Sequence, residues 1–292
     1  MAPALRQYIS FMESQKKRER TFSFEFFPPR TEEGKAALHH TAAQLGQLGP
    51  RFMSVTFGAG GSTREGTFET VREIKNHGFE AAPHISCIGS TRDQLRQILR
   101  GYMALGVRHL VALRGDLPSG TVAAGELRYA NELVEFIRAE TGTHFYVEVA
   151  AYPETHPQAA SAEADRLNFR RKVLAGADSA ITQYFYNTDA YFRFVDDCES
   201  LGMDIAIVPG IMPITNFKQL ARFSDACGAE IPRWIRRRLE GYGDDIEAIR
   251  AFGLDVTTEL CDRLLAAGAP GLHFYTLNRA GPTSTIWERL AL

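Results

Sequence analysis

Phe24-Glu25-Phe26-Phe27-Pro28-Pro29 closes an apolar run over 21–27, and its reading decides how the rest of the chain is organised. The run is near-continuously apolar rather than alternating, as a parallel strand covered on both faces requires. Two prolines stop it immediately beyond a carboxylate. Seven further runs share this build, over 52–57, 81–87, 109–113, 145–151, 180–186, 205–211 and 271–277. Each ends in a polar or glycine-containing signature. The sharpest of these are Leu113-Arg114-Gly115-Asp116 and Ile181-Thr182-Gln183-Tyr184.

Helix-like stretches separate the runs. Thr91-Arg92-Asp93-Gln94 opens one whose apolar period runs through Leu95, Ile98, Leu99 and Met103, and Gly106 ends it. Alternating strands and helices, with eight strands, predict an α/β fold in the form of a (β/α)8 TIM-type barrel. An open doubly wound sheet is the competing architecture. The interval 216–268 leaves room for two or three extra helices before the last strand, including Pro232-Arg233-Trp234-Ile235. No low-complexity linker or internal repeat divides the 292 residues, so 1–292 reads as one barrel domain. In such a barrel the chemistry belongs at the carboxyl ends of several strands.

Composition narrows the function. With 33 basic and 35 acidic side chains the net charge is −2, which provides no general field for nucleic acid or an anionic membrane. Arg233, Arg236, Arg237 and Arg238 are a local exception, read as a solvated helix face. Cys87, Cys198, Cys227 and Cys261 are dispersed without a C-x-x-C, as reduced packing residues would be. No apolar stretch suits a signal or a membrane span, and a cytoplasmic protein is expected. The eight histidines fit no metal frame, so no metal site is expected. A G-x-S-x-G elbow, a P-loop and a Rossmann turn are also missing from the sequence.

Several constellations remain. Glu25, among Phe22, Phe24, Phe26 and Phe27, reads either as an ion-paired strand end or as a carboxyl kept protonated by aromatic walls and able to act as a general acid. Arg114, Gly115 and Asp116 offer a donor fork, a close backbone approach and an acceptor to a flat heterocycle. Gly58-Ala59-Gly60-Gly61-Ser62 is a weak phosphate cradle. Asp165, Asn168 and Lys172 stand at i, i+3 and i+7, so one helix face presents an acceptor, an amide and a cation. His84 and Gln183 are lone polar residues in apolar runs, and the Gln183 amide suits a pterin or a nicotinamide carboxamide.

Taken in order, Phe24 to Pro29, Thr56-Phe57-Gly58-Ala59-Gly60-Gly61, Pro83-His84, Leu113 to Asp116, Ala151-Tyr152-Pro153-Glu154, Thr182-Gln183 and His273-Phe274-Tyr275-Thr276-Leu277-Asn278-Arg279 resemble the methylenetetrahydrofolate reductase family in its short, bacterial-type form. The resemblance implies an eight-stranded barrel with FAD at its C-terminal mouth. It implies FAD contacts from Thr56, His84, Arg114, Gly115, Asp116, Tyr129, Ala130, Tyr152, His156, Asp165, Asn168, Arg171 and Lys172. Gln183, Phe217, Tyr275 and Arg279 would meet the folate or the nicotinamide, with Phe217 as a stacking surface and Arg279 facing the folate glutamate carboxylate.

By the same resemblance NADH or NADPH, with a lean to NADH, and methylenetetrahydrofolate react in turn at one mouth. Glu25 supplies a proton, and Asp116 holds a negative charge beside the flavin. The product feeds methionine synthesis, and the protein is a homo-oligomer. Phe57 stands where many members have tyrosine, and with the chain ending at Leu292 no regulation by S-adenosylmethionine is expected. Two other readings stay open, a flavin barrel acting on an amino acid, such as proline dehydrogenase, and a carrier that holds ligands without turnover.

Overall fold

The computed structural model describes residues 12–57, 64–115 and 125–292. Its strands are β1 (Thr21–Phe26), β2 (Phe52–Val55), β3 (Ala81–Ser86), β4 (His109–Leu113), β5 (Tyr146–Ala151), β6 (Ser179–Thr182), β7 (Ala206–Val208), β8 (Gly210–Ile211) and β9 (Gly271–Tyr275). All pairings are parallel, in the order β7-β6-β5-β4-β3-β2-β1-β9-β8. The two ends of that order are neighbours in the chain, separated by Pro209 alone. One strand therefore pairs with β6 through its first half and with β9 through its second, and the sheet closes as a TIM-type barrel of eight staves.

Pro209 has no N–H to give a ladder, which is why the seventh stave falls into two pieces where the sequence suggests one. Its carbonyl still accepts the His273 N–H at 3.0 Å. Gly210 follows at the seam, where a Cβ would run into the Thr182 carbonyl and meet the Tyr275 hydroxyl at 2.9 Å. Only glycine lets the three staves approach so closely.

Side chains alternate between the two faces of each strand. Phe24, Phe26, Met53, Val55, Ile85, Leu110, Val147, Leu272 and Phe274 point outward into the large core shared with the helices. The lumen holds a small apolar cluster of Phe52, Ala82, Val111 and Ile181, among buried Ser23, Ser54, His84, Glu148, Ser179 and His273. Burial pushes the Glu148 carboxyl up to about 7 against the pull of a hydrogen bond from the Ser179 hydroxyl. His109, ring to ring with Phe52 at 5.2 Å and Tyr146 at 5.1 Å, is pushed down to about 4 by burial and then by Arg51.

Helices cover the outside. Thr91 caps Arg92–Ala104 with Gln94 in a capping box, an arrangement worth about 1 kcal/mol. Ser161 caps Ala162–Leu174 by accepting the Ala164 N–H at 3.1 Å. Three helices, Phe217–Cys227, Arg233–Tyr242 and Ile246–Ala267, fill the interval before β9. Arg233, Arg237 and Arg238 lie on the exposed side of the second.

β6 ends four residues before the apolar run does, because the Gln183 Oε1 accepts the Tyr184 N–H at 3.0 Å and turns the chain out of the ladder. Tyr184 then bonds Ser224 at 3.0 Å and Phe185 stacks on Tyr191 at 5.5 Å, so the remaining apolar residues bury among helices. All four cysteines are free thiols. Among the described residues no helix is long and apolar enough to cross a membrane, and no cluster of histidine, cysteine and acidic side chains gathers in a metal-holding group.

Candidate active site

Glu25, the last residue but one of β1, faces the lumen, so its aromatic neighbours in sequence are not its neighbours in space. Phe24 and Phe26 point the other way, Phe24 packing on Phe274 and Trp287, both with ring centres at 6.0 Å. The expected aromatic walls are replaced by two imidazoles. The Glu25 Oε2 lies 3.4 Å from the His84 Nε2 and 3.6 Å from the His273 Nε2. Both nitrogens are buried and make no hydrogen bond.

The other side of the His273 ring is fixed, its Nδ1 lying 2.7 Å from the Ser23 Oγ. Burial lowers the pKa of His84, against the pull of Glu25, so that imidazole is neutral at physiological pH. The backbone beneath the carboxylate is also held. Thr276 Oγ1 donates to the Glu25 carbonyl at 2.6 Å, and Asn278 exchanges hydrogen bonds with the Phe27 carbonyl at 2.9 Å and N–H at 3.0 Å.

A cavity of about 700 Å³ opens at the same end of the barrel, beyond β4 and β5 and against the helix Ala162–Leu174. Arg114, Gly115, Tyr129, Ala130, Tyr152, His156, Asp165, Asn168, Arg171 and Lys172 all line it. Its size suits a large organic cofactor. Gly115 has φ +87°, and a Cβ there would run into the Ser86 hydroxyl, which is itself bonded to the Arg114 carbonyl at 2.8 Å. The Arg114 Nη2 donates to the Gln158 Oε1 at 2.5 Å.

On the helix wall Asp165 accepts the His156 N–H at 2.8 Å, Asn168 accepts from Arg171 at 2.5 Å, and Tyr152 meets the His156 ring edge-on at 4.5 Å. The Lys172 ammonium reaches inward to the Ala150 carbonyl, and burial pulls it down to about 8, with Asp165 opposing the shift. A cation held at this cost is what an incoming anion would relieve.

The other expected site residues are distributed around this mouth. Thr56 follows β2 with its N–H on the Phe26 carbonyl, and with His84 it stands outside the large cavity. Phe57 lines a separate groove with Phe68 and Tyr102. Gln183 is half-buried at the end of β6, with its amide oxygen turned back on the chain. Tyr275 donates its hydroxyl to the Thr182 carbonyl at 2.8 Å and lies edge-on to His273 at 5.2 Å. Phe217 opens its helix, partly buried against the main core. Arg279 is exposed and lines a second cavity. Asp116 and the stretch Gly58 to Ser62 lie outside the described residues.

Ser23 and His273 were not singled out from the sequence. Their signal is the period of two: Ser-x-Glu on β1 and His-x-Tyr on β9 put Ser23 opposite His273 and Glu25 opposite Tyr275 in the parallel register.

An α/β barrel with a large polar-walled cavity and a carboxylate among imidazoles at its C-terminal end belongs to the barrel enzymes. The methylenetetrahydrofolate reductase family model matches residues 10–291, and the chain is a member of that family. It is 45% identical over 271 residues to the 5,10-methylenetetrahydrofolate reductase of Escherichia coli (strain K12), covering 92% of this chain and 90% of that one. Methylenetetrahydrofolate reductase (NADH) 1 of Zea mays is 40% identical, across 88% of this chain and 46% of its own. Among solved structures, a Clostridium thermocellum protein that binds two copies of 5-methyl-5,6,7,8-tetrahydrofolic acid superposes with a TM-score of 0.66. That pair covers 98% and 97% of the two chains at 16% identity, a likeness of fold.

Proposed function

We propose that the chain, as one domain over 1–292, reduces 5,10-methylenetetrahydrofolate to 5-methyltetrahydrofolate with NADH or NADPH and a bound FAD, in the cytoplasm and as a homo-oligomer. The observation that carries this reading is the placement of a carboxylate between two imidazoles beside a cavity of about 700 Å³ whose wall is cationic at Arg171 and Lys172. The name of the maize relative supports NADH as the reductant.

The cavity residues fit the cofactor. Lys172 and Arg171 offer charge to its phosphates, Asp165 and Asn168 offer polar contacts to its ribose, and Gly115 leaves room for a ring where a Cβ would stand. Bound there, FAD supplies a two-electron relay between the nicotinamide and the folate, which take turns at one mouth.

Glu25 delivers the proton that the departing nitrogen needs when the imidazolidine ring opens to an iminium. His84, its pKa lowered by burial, stands 3.4 Å from that carboxylate. His273, oriented by Ser23, gives the proton a second imidazole contact. Asp116 would place a negative charge near the cationic iminium and the flavin, so Asp116→Asn should raise the flavin midpoint potential, and an unchanged potential removes that role.

The experiment is an anaerobic visible spectrum of the protein with added FAD, after NADH and then after methylenetetrahydrofolate. Bleaching followed by return of the oxidised band is the expected result. Bleaching without return would refute the folate half of the reading, and no flavin band on the protein would refute the cofactor.

A further inference from the structure

The loop after β5 forms a wall with a cavity on either side. Tyr152 and His156 line the large one, while Tyr152, Pro153, Glu154 and Thr155 line another of about 370 Å³ that opens between the helices Ala162–Leu174 and Thr188–Ser200. A wall between two open spaces has little packing to hold it, so its course is set by its own turn and by its ties. The Thr155 N–H closes a turn on the Tyr152 carbonyl at 3.3 Å, with Pro153 at the position such a turn favours. Thr155 itself stands at φ +77°, in the left-handed region that a threonine avoids. Left free, the chain would relax out of that conformation and carry Tyr152 and His156 with it.

Two contacts hold the loop from across a seam. The Glu154 Oε2 accepts the Glu230 N–H at 2.8 Å, from the segment that follows the helix Phe217–Cys227. Beside it Gly228, which ends that helix at φ +77°, leaves room for Pro157, whose Cδ would lie 3.2 Å from a Cβ there. The Glu154 Oε1 is buried with no hydrogen bond among the described residues, and burial pushes the carboxyl up to about 7 against the pull of the Glu230 N–H. A half-satisfied carboxyl beneath a strained turn is costly unless it holds something in place. Resting on the cofactor reading above, we propose that Glu154 is a positioning residue for the flavin: its hydrogen bond to the Glu230 N–H keeps Thr155 in the left-handed region, and with it Tyr152 and His156 in the wall of the large cavity. Glu154 lines the far cavity and not the large one, so it acts through the loop and not on the reacting atoms.

The test is a fluorescence titration of the flavin-free protein with FAD at pH 8, for wild type, Glu154→Ala, Glu154→Gln, Thr155→Gly and the double variant Glu154→Ala/Thr155→Gly. Without the tie only a fraction of the molecules hold the loop ready, and the apparent Kd rises by the inverse of that fraction. Glu154→Ala should raise Kd about ten-fold, and Glu154→Gln, which keeps an acceptor, should stay within about three-fold of wild type. Because glycine enters the left-handed region freely, the double variant should recover at least about three-fold of the loss, while Thr155→Gly alone changes Kd by less than about two-fold. At saturating FAD, Glu154→Ala should oxidise NADH with an artificial acceptor at the wild-type rate. Glu154→Met, which keeps the bulk and loses the acceptor, takes the place of the alanine variant if that chain does not fold. A wild-type Kd in Glu154→Ala would overturn the tie and leave the cofactor reading intact. So would a weakened Kd that Thr155→Gly does not restore, since a general loss of packing behaves that way. No FAD binding by the wild type would overturn the cofactor reading, and the tie with it.

Discussion

Lys172 should destabilise the ligand-free protein and hold the cofactor, and replacing it with methionine separates the two effects. Burial takes its pKa from 10.5 to about 8. Because the unfolded chain then binds the proton more tightly than the folded one, the charge opposes folding below pH 8 and stops doing so as pH rises towards 10.5. Two and a half units amount to about 3 kcal/mol at pH 7. Lys172→Met removes that cost but leaves the Ala150 carbonyl without its donor, an offset of about 1 kcal/mol.

The flavin-free variant should therefore be more stable than wild type by about 2 kcal/mol at pH 7, or roughly 3 °C in melting temperature. Near pH 10 the lysine term falls to about 1 kcal/mol, and the two curves should meet. Saturating FAD should reverse the order at pH 7, because the variant loses the cation that faces the phosphates. Differential scanning calorimetry of both proteins, flavin-free and loaded, at pH 7 and 10 reads all four differences between them. A flavin-free variant no more stable than wild type at pH 7, or a gap that does not change with pH, would refute the reasoning.

Three other outcomes follow from the same geometry. Glu25→Gln should bind FAD and still oxidise NADH with an artificial acceptor, while folate reduction falls by about 10²- to 10⁴-fold; stopped-flow of the two half-reactions checks it, and normal folate turnover would remove Glu25 as the acid. Glu148→Gln should stabilise the protein at pH 8 by up to about 3 kcal/mol and much less at pH 5, since a folded-state pKa of about 7 against 4.5 makes stability fall as pH rises through that interval; urea denaturation at the two pH values measures it. Gly115→Ala should cost about 2 kcal/mol from its positive φ alone and lose flavin on gel filtration, whereas wild-type flavin occupancy would take Gly115 out of the cradle.

The barrel was legible because strands covered on both faces write themselves as continuous apolar runs, and eight of them in alternation with helices leave little choice. The Pro209 break was not, since a proline inside 205–211 does not say that one stave will serve two neighbours. The helix face of Asp165, Asn168 and Lys172 was readable from spacing alone, which is a local property of the helix. Glu25 is a strand-end residue as read, but of its two expected settings the aromatic walls are not what surround it. Adjacent phenylalanines in sequence are on the opposite face, and the imidazoles that do surround it arrive from β3 and β9 by closure of the sheet. Partners supplied across the barrel leave no mark in the sequence near the residue they serve.

The hydrogen bonds from Thr276 and Asn278 to the backbone at Glu25 and Phe27 also bear on how the protein is made. The proposed proton donor leaves the ribosome 251 residues ahead of its clamp. Until β9 emerges and docks beside β1, the first strand has an unpaired edge and the donor has no fixed place. A nascent chain can therefore acquire most of its helices and much of its sheet while remaining inert, and catalytic competence should appear as a single late event rather than grow with chain length.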